Sequence, residues 1–226
     1  MSDLVEISLA QTGRNSPGRA RAEIVSAYEA LRDLGPAVSI FGSARTERSH
    51  PHYKLAREVA KALGEAGYAI ITGGGPGIME AANRGAKDAG VPSVGLHIEL
   101  PSEQACNRYV DVPVNFNYFF TRKIFYVDPA SAFVALPGGA GTLDELFEAM
   151  TLVQTSKIPA YPIILAPGEY WSGLKSWLKE QPEQHGWLGS RDIDSLKLAD
   201  TPADVVAEIK AAGTPRRRPQ KRAPKK

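Results

Sequence analysis

The sequence predicts an α/β fold: a Rossmann-like doubly wound parallel sheet with helices on both faces, in a single domain. Short apolar runs alternate with amphipathic helical stretches through most of the chain, and several of these runs end in glycine-rich turns. The runs are apolar throughout, the pattern of strands covered on both faces. At 226 residues, 43% hydrophobic and 23% charged, the chain has enough apolar surface for one such core.

The helical spacing of Ile24, Tyr28 and Leu31 predicts a helix over Pro17 to Leu34, packed across the edge of the domain. Ala37 to Phe41 is a strand that ends in Gly42, Ser43, Ala44 and Arg45. Ala56, Val59, Ala60 and Leu63 mark the inner face of the next helix. Tyr68 to Thr72 is a second strand, followed by Gly73, Gly74, Gly75, Pro76 and Gly77 and a helix to Ala89. Further strands are expected at Pro92 to His97, Tyr109 to Val114, Ser131 to Leu136, Ile163 to Leu165 and Leu196 to Ala199. Helices are expected at Asn117 to Val127, from Thr142 onward, at Tyr170 to Lys179 and at Ala203 to Ala211. This gives a domain over 17–213, a flexible N-terminus at 1–16 and a basic disordered tail at 214–226.

Seven basic and no acidic residues lie between Arg216 and Lys226, and without them the net charge falls from +2 to −5. Such a tail has no apolar face with which to order itself; it either solvates the protein or touches a polyanion. No specific role is assigned to it. The first residues lack the pattern of a signal peptide, no run is long enough to span a membrane, and Cys106 has no partner for an intrachain disulfide. No cysteine or histidine spacing suits a metal. The expectation is a cytoplasmic protein without metal or cofactor.

In such sheets ligands bind beyond the carboxyl ends of the strands, so chemistry is sought in the turns that follow them. The stretch from Ala135 to Met150, ALPGGAGTLDELFEAM, joins strand, glycine turn and helix start. Gly138, Gly139 and Gly141 let the backbone approach a ligand, and the helix start favours a phosphate. Thr142 stands where an N-cap belongs, and Thr142 with Glu145 also reads as a capping box. Glu145 lies opposite the apolar face of Leu143, Leu146, Phe147 and Met150, so it is a surface cap or a site carboxylate. Ser43, Gly74 and Gly75 are candidate substrate contacts from the other two turns. The triglycine turn fails the dinucleotide fingerprint because Ile78 occupies its last glycine position, and no P-loop occurs. Arg122 and Lys123 form either a solvated pair on a helix whose Phe119, Phe120 and Phe125 face inward, or a grip on phosphate or carboxylate. Glu103 is a ribose or base contact or a surface charge.

The combination of GGGPGIM, Arg122-Lys123 and PGGAGTLDE resembles the LONELY GUY family over roughly Pro36 to Gln181. These are phosphoribohydrolases that release the base from a nucleoside 5′-monophosphate and activate cytokinins. The resemblance implies a Rossmann-like homodimer or higher homo-oligomer without metal or cofactor, with Arg122 and Glu145 essential. It places substrate contacts at Glu103, Lys123, the turn that includes Gly138, Gly139, Gly141, Thr142 and Asp144, and Thr151. The chain departs from the family pattern at Phe119-Phe120-Thr121 and at Glu80. The expected reaction is hydrolysis of AMP or an N6-substituted AMP to ribose 5-phosphate and free base. Two other readings accompany it: a lysine decarboxylase, for which no Schiff-base lysine setting is seen, and a nucleotide or cofactor carrier on the same fold.

Overall fold

A computed structural model describes residues 17–99 and 106–213. The predicted N-terminal arm, the basic tail and Glu103 lie outside the described residues. Along the chain run α1 (Pro17–Ala30), β1 (Ala37–Phe41), α2 (Pro51–Glu65), β2 (Ala69–Thr72), α3 (Ile78–Ala89), β3 (Ser93–Ile98) and β4 (Val112–Phe116). There follow α4 (Phe119–Val127), β5 (Ala130–Ala135), α5 (Ala140–Gln154), β6 (Ile163–Leu165) and α6 (Gly168–Leu178). The last elements are a π-helical turn (Lys179–Glu183), α7 (Ser190–Asp194), β7 (Leu196–Leu198) and α8 (Pro202–Ala211).

The sheet has seven strands in the order β4-β3-β2-β1-β5-β6-β7, and every pairing is parallel. All five residues of β1 are buried, because helices cover both of its faces. Phe41, Ile71 and Phe133 face α1, α4, α5 and α6 on one side. Val38, Ile40, Ile70 and Val134 face α2, α3 and α8 on the other. The expected strand at Tyr109 to Val114 forms two to three residues later, where Val112–Phe116 pairs with Val94–Ile98. Two short elements, the π-helical turn and α7, had no periodic signal long enough to predict them.

The strand order reverses at β1, which pairs with β2 on one side and β5 on the other. Successive connections leave β1 and β5 toward opposite faces, so a crevice opens beyond their carboxyl ends. The Ser43 N–H donates to the Pro137 carbonyl across it (3.0 Å). On the other side of the same loop, the Ser43 carbonyl accepts from the Ile78 N–H (2.9 Å). Gly77 makes that approach possible: its φ is +66°, and a Cβ there would collide with the Ser43 and Ala44 carbonyls. One loop thereby ties together the turns after β1, β2 and β5.

Candidate active site

Helix α5 starts earlier than its sequence suggests. Its N-cap is Gly139, which offers no side chain, and Thr142 is already inside the first turn. The Thr142-to-Glu145 capping box is therefore not formed. Thr142 is buried instead, packed beneath Gly138, where a Cβ would overlap the Thr142 side chain. Glu145 is released from any capping role and lies half-buried in the second turn.

Burial raises the Glu145 carboxyl from about 4.5 to about 7, with Glu148 and Asp144 adding to the rise and Lys123 and Arg122 opposing it. Desolvation thus outweighs two nearby cations. Lys123 spans the acidic face of α5: its Nζ lies 2.8 Å from Asp144 Oδ2 and 3.0 Å from Glu148 Oε2. Burial alone would lower the Lys123 pKa, but the bonds to Asp144 and Glu148 raise it, so the ammonium stays charged.

Arg122 is held by backbone. Its Nε donates to the Leu96 carbonyl within β3 (2.7 Å), its Nη2 lies 3.5 Å from the Gly73 carbonyl, and its guanidinium sits 5.1 Å above the Tyr126 ring. A Cβ on Gly73 would strike that guanidinium, so the glycine makes room for the arginine. The charge is thereby set beside the turn after β2, near enough to act on the Glu145 carboxyl.

The turn after β2 is pinned from within. The Asn107 side-chain amide donates toward the Gly74 and Gly75 carbonyls (both 3.0 Å) and toward Asn83 Oδ1 (2.9 Å). Asn83 Oδ1 also accepts from the Thr72 hydroxyl (2.7 Å), and its Nδ2 donates to Ser93 Oγ (2.9 Å). Sequence reading missed Asn83 and Asn107. A weak signal existed for Asn83, a polar residue at the edge of the apolar face and one turn before Ala86, because buried amides need partners. Replacing Asn83 by alanine removes its four side-chain bonds, to Thr72, Ser93, Asn107 and the Val94 carbonyl, and urea unfolding is expected to show a loss of about 2 kcal/mol. Tyr170, whose hydroxyl donates to the Gly138 carbonyl from α6 (3.0 Å), carried no such signal.

Ser43, Gly74, Gly75, Arg122, Lys123, Gly138, Gly139, Gly141, Thr142, Asp144 and Glu145 come together beyond β1, β2 and β5 through these contacts. A Cβ built on Gly139 or Gly141 meets nothing within 4 Å, so backbone there is open to a ligand. Thr151 is exposed nearly two turns beyond Glu145, with its hydroxyl donated to the Phe147 carbonyl (2.7 Å). Phe119 and Phe120 do not face inward as expected: they are 53% and 59% exposed at the start of α4, and Phe125 alone of the three enters the core. Glu80 accepts from Arg48 (2.7 Å) and from Tyr53 (2.8 Å); against the cost of partial burial, these bonds hold its carboxyl below its ordinary range.

A family model described as possible lysine decarboxylase matches residues 79–209. A cytokinin riboside 5′-monophosphate phosphoribohydrolase of Mycobacterium marinum is 30% identical over 166 residues, which cover 70% of this chain and 86% of that one. Among solved structures, a structural-genomics target is 25% identical with a TM-score of 0.59, over 78% of this chain and 99% of that one. The molybdenum cofactor binding protein of Rippkaea orientalis shares the fold at 22% identity and a TM-score of 0.58, over 78% and 96%. The match of the family model across more than half of the chain, together with the phosphoribohydrolase relative, makes this protein a member of the LONELY GUY family.

Proposed function

We propose that this protein hydrolyses the N-glycosidic bond of a nucleoside 5′-monophosphate, AMP or an N6-substituted AMP, to free base and ribose 5-phosphate. The observation that carries the reading is a half-buried carboxylate, Glu145, with a pKa of about 7, beside two fixed cations and an open helix start. In this reading the 5′-phosphate lies on the turn from Gly138 to Thr142, where backbone N–H groups and the helix dipole favour an anion, with Ser43, Gly74 and Gly75 around it. Arg122 and Lys123 hold phosphate or ribose in place. As the C1′–N bond breaks, its electron pair leaves with the base, and positive charge builds on the ribose facing Glu145. Glu145 takes a proton from the water that adds to C1′, and that proton is then available to the departing base. A carboxyl poised near neutrality suits both transfers. The reading includes a cytoplasmic homodimer that works without metal.

The test is base release from AMP and from N6-isopentenyl-AMP by the intact protein. Release of adenine or its N6-substituted form, with ribose 5-phosphate as the second product, is expected. Because the carboxylate is the working form, kcat/KM is expected to rise with pH up to about 7 and then level.

A second reading is supported by the fold shared with a molybdenum cofactor binding protein: a carrier that binds a nucleotide or a cofactor without cleaving it. Calorimetric binding of AMP with no base release would establish that reading in place of the first.

A further inference from the structure

Helix α1 ends before the residues that the family model matches, yet it grips the helix that carries Arg122 and Lys123 at both ends. At the first turn of α4, the Glu23 carboxylate accepts from the Asn117 N–H (3.1 Å) and from the Thr121 hydroxyl (2.8 Å). The N-cap of α4, Tyr118, supplies no side-chain cap, and Glu23 instead ties down the residue before it and the Thr121 side chain from another element. Its negative charge also faces the positive end of the α4 dipole. Only 11% of the Glu23 side chain is exposed, and Arg19 lies 3.8 Å from it on the same helix. One turn further along α1, the Tyr28 ring packs edge-on against Phe125 (4.9 Å), and its hydroxyl bonds to Asp128 beyond the end of α4.

These contacts do more than fill the edge of the domain. Thr121 immediately precedes Arg122, and Asn117 opens the turn from which α4 starts. Any slip of that turn carries the two cations with it, because a helix moves as a rigid unit along its axis. We propose that Glu23 is a positioning residue: through Asn117 and Thr121 it sets the placement of Arg122 and Lys123 against Glu145. The proposal rests on the hydrolase reading for its effect on rate, but the placement itself is measurable without turnover.

The two cations on α4 and the carboxylates Asp144 and Glu148 on α5 are the charged groups that act on Glu145. Losing the hold on α4 weakens the two cations against the two carboxylates, so the Glu145 titration moves upward. The experiment compares Glu23→Ala, Glu23→Gln and the unchanged protein, reading base release against pH and the Glu145 carboxyl by carbon-13 NMR, its signal assigned with Glu145→Gln. Glu23→Ala is expected to lower kcat about tenfold and to shift both the acid limb and the NMR titration up by about half a pH unit. Glu23→Gln is expected to restore kcat to within about threefold: its carbonyl accepts from Asn117, and its amide donates to the Thr121 hydroxyl.

A folded Glu23→Ala protein with unchanged kcat and an unchanged Glu145 titration overturns the proposal. If the unchanged protein releases no base, the hydrolase reading falls, and the NMR titration alone decides the positioning role by the same criterion. Should Glu23→Ala fail to fold, Thr121→Val removes one of the two bonds together with the hydroxyl's contact to the Tyr118 carbonyl (2.9 Å): a smaller upward shift supports the proposal and none overturns it.

Discussion

Glu145→Gln is expected to cut base release from AMP by a hundredfold or more and, at pH 8, to make the protein more stable. The two effects share one cause. Burial holds the Glu145 carboxyl near 7 against about 4.5 when unburied, so the folded state carries an ionised group it would sooner keep neutral. A raised folded pKa contributes stability that is fully present below pH 4.5 and is lost as the pH rises through 7. At about 1.36 kcal/mol per pH unit, the loss approaches 3 kcal/mol at pH 8. Glutamine has the shape of the protonated acid and no charge to desolvate. The variant should therefore gain roughly 2–3 kcal/mol over the parent in urea unfolding at pH 8 and almost nothing at pH 4. A structural carboxylate would behave in the opposite way, because its loss would destabilise. Unchanged turnover in a stabilised variant would remove Glu145 from the chemistry. Equal stability at both pH values would show that the carboxyl is not buried as described.

Gly138→Ala is expected to cost about 2–3 kcal/mol and most of the activity, whereas Gly139→Ala should change stability by only about 0.5 kcal/mol. The adjacent glycines differ in their surroundings. A methyl on Gly138 would overlap the buried Thr142 side chain and come within 2.9 Å of the Ser43 nitrogen. Neither can yield freely, since the Ser43 N–H is bonded to Pro137 and Thr142 lies in the first turn of α5. The strain would pass to the junction of the three turns. A methyl on Gly139 meets nothing within 4 Å, and its backbone is in an extended conformation open to any residue. Its main effect should be on binding: a methyl group at the open helix start keeps a phosphate from the N–H groups, and calorimetry should show AMP affinity weakened about tenfold. Equal loss of stability in both variants would contradict this division.

Much of this protein was legible in its sequence, because a two-sided parallel sheet writes itself as apolar runs and glycine turns. β1 and β6 lie exactly over the residues expected, and Ile163–Leu165 is legible despite its brevity since all three residues are apolar and buried. The glycines, Arg122, Lys123 and Glu145 were legible as candidates because chemistry at the carboxyl ends of strands demands such residue types. Spacing was a poorer guide where local and tertiary signals competed. Thr142 looked like an N-cap from its neighbours, but packing beneath Gly138 drew it inward and moved the helix start to Gly139. Phe119 and Phe120 looked like core by composition, yet only the direction of α4 decided that they face solvent.

The sequence by itself determined which residues are apolar, where the backbone must turn without a Cβ and which groups can carry charge. Those properties belong to single residues and their near neighbours. The tertiary structure alone decided that Asn107 and Asn83 pin the turn after β2, that Glu23 bonds the backbone 94 residues away just before α4, and that Glu145 titrates near neutrality. Each of these depends on distance through space and on exclusion of water. Neither quantity exists until the chain has folded.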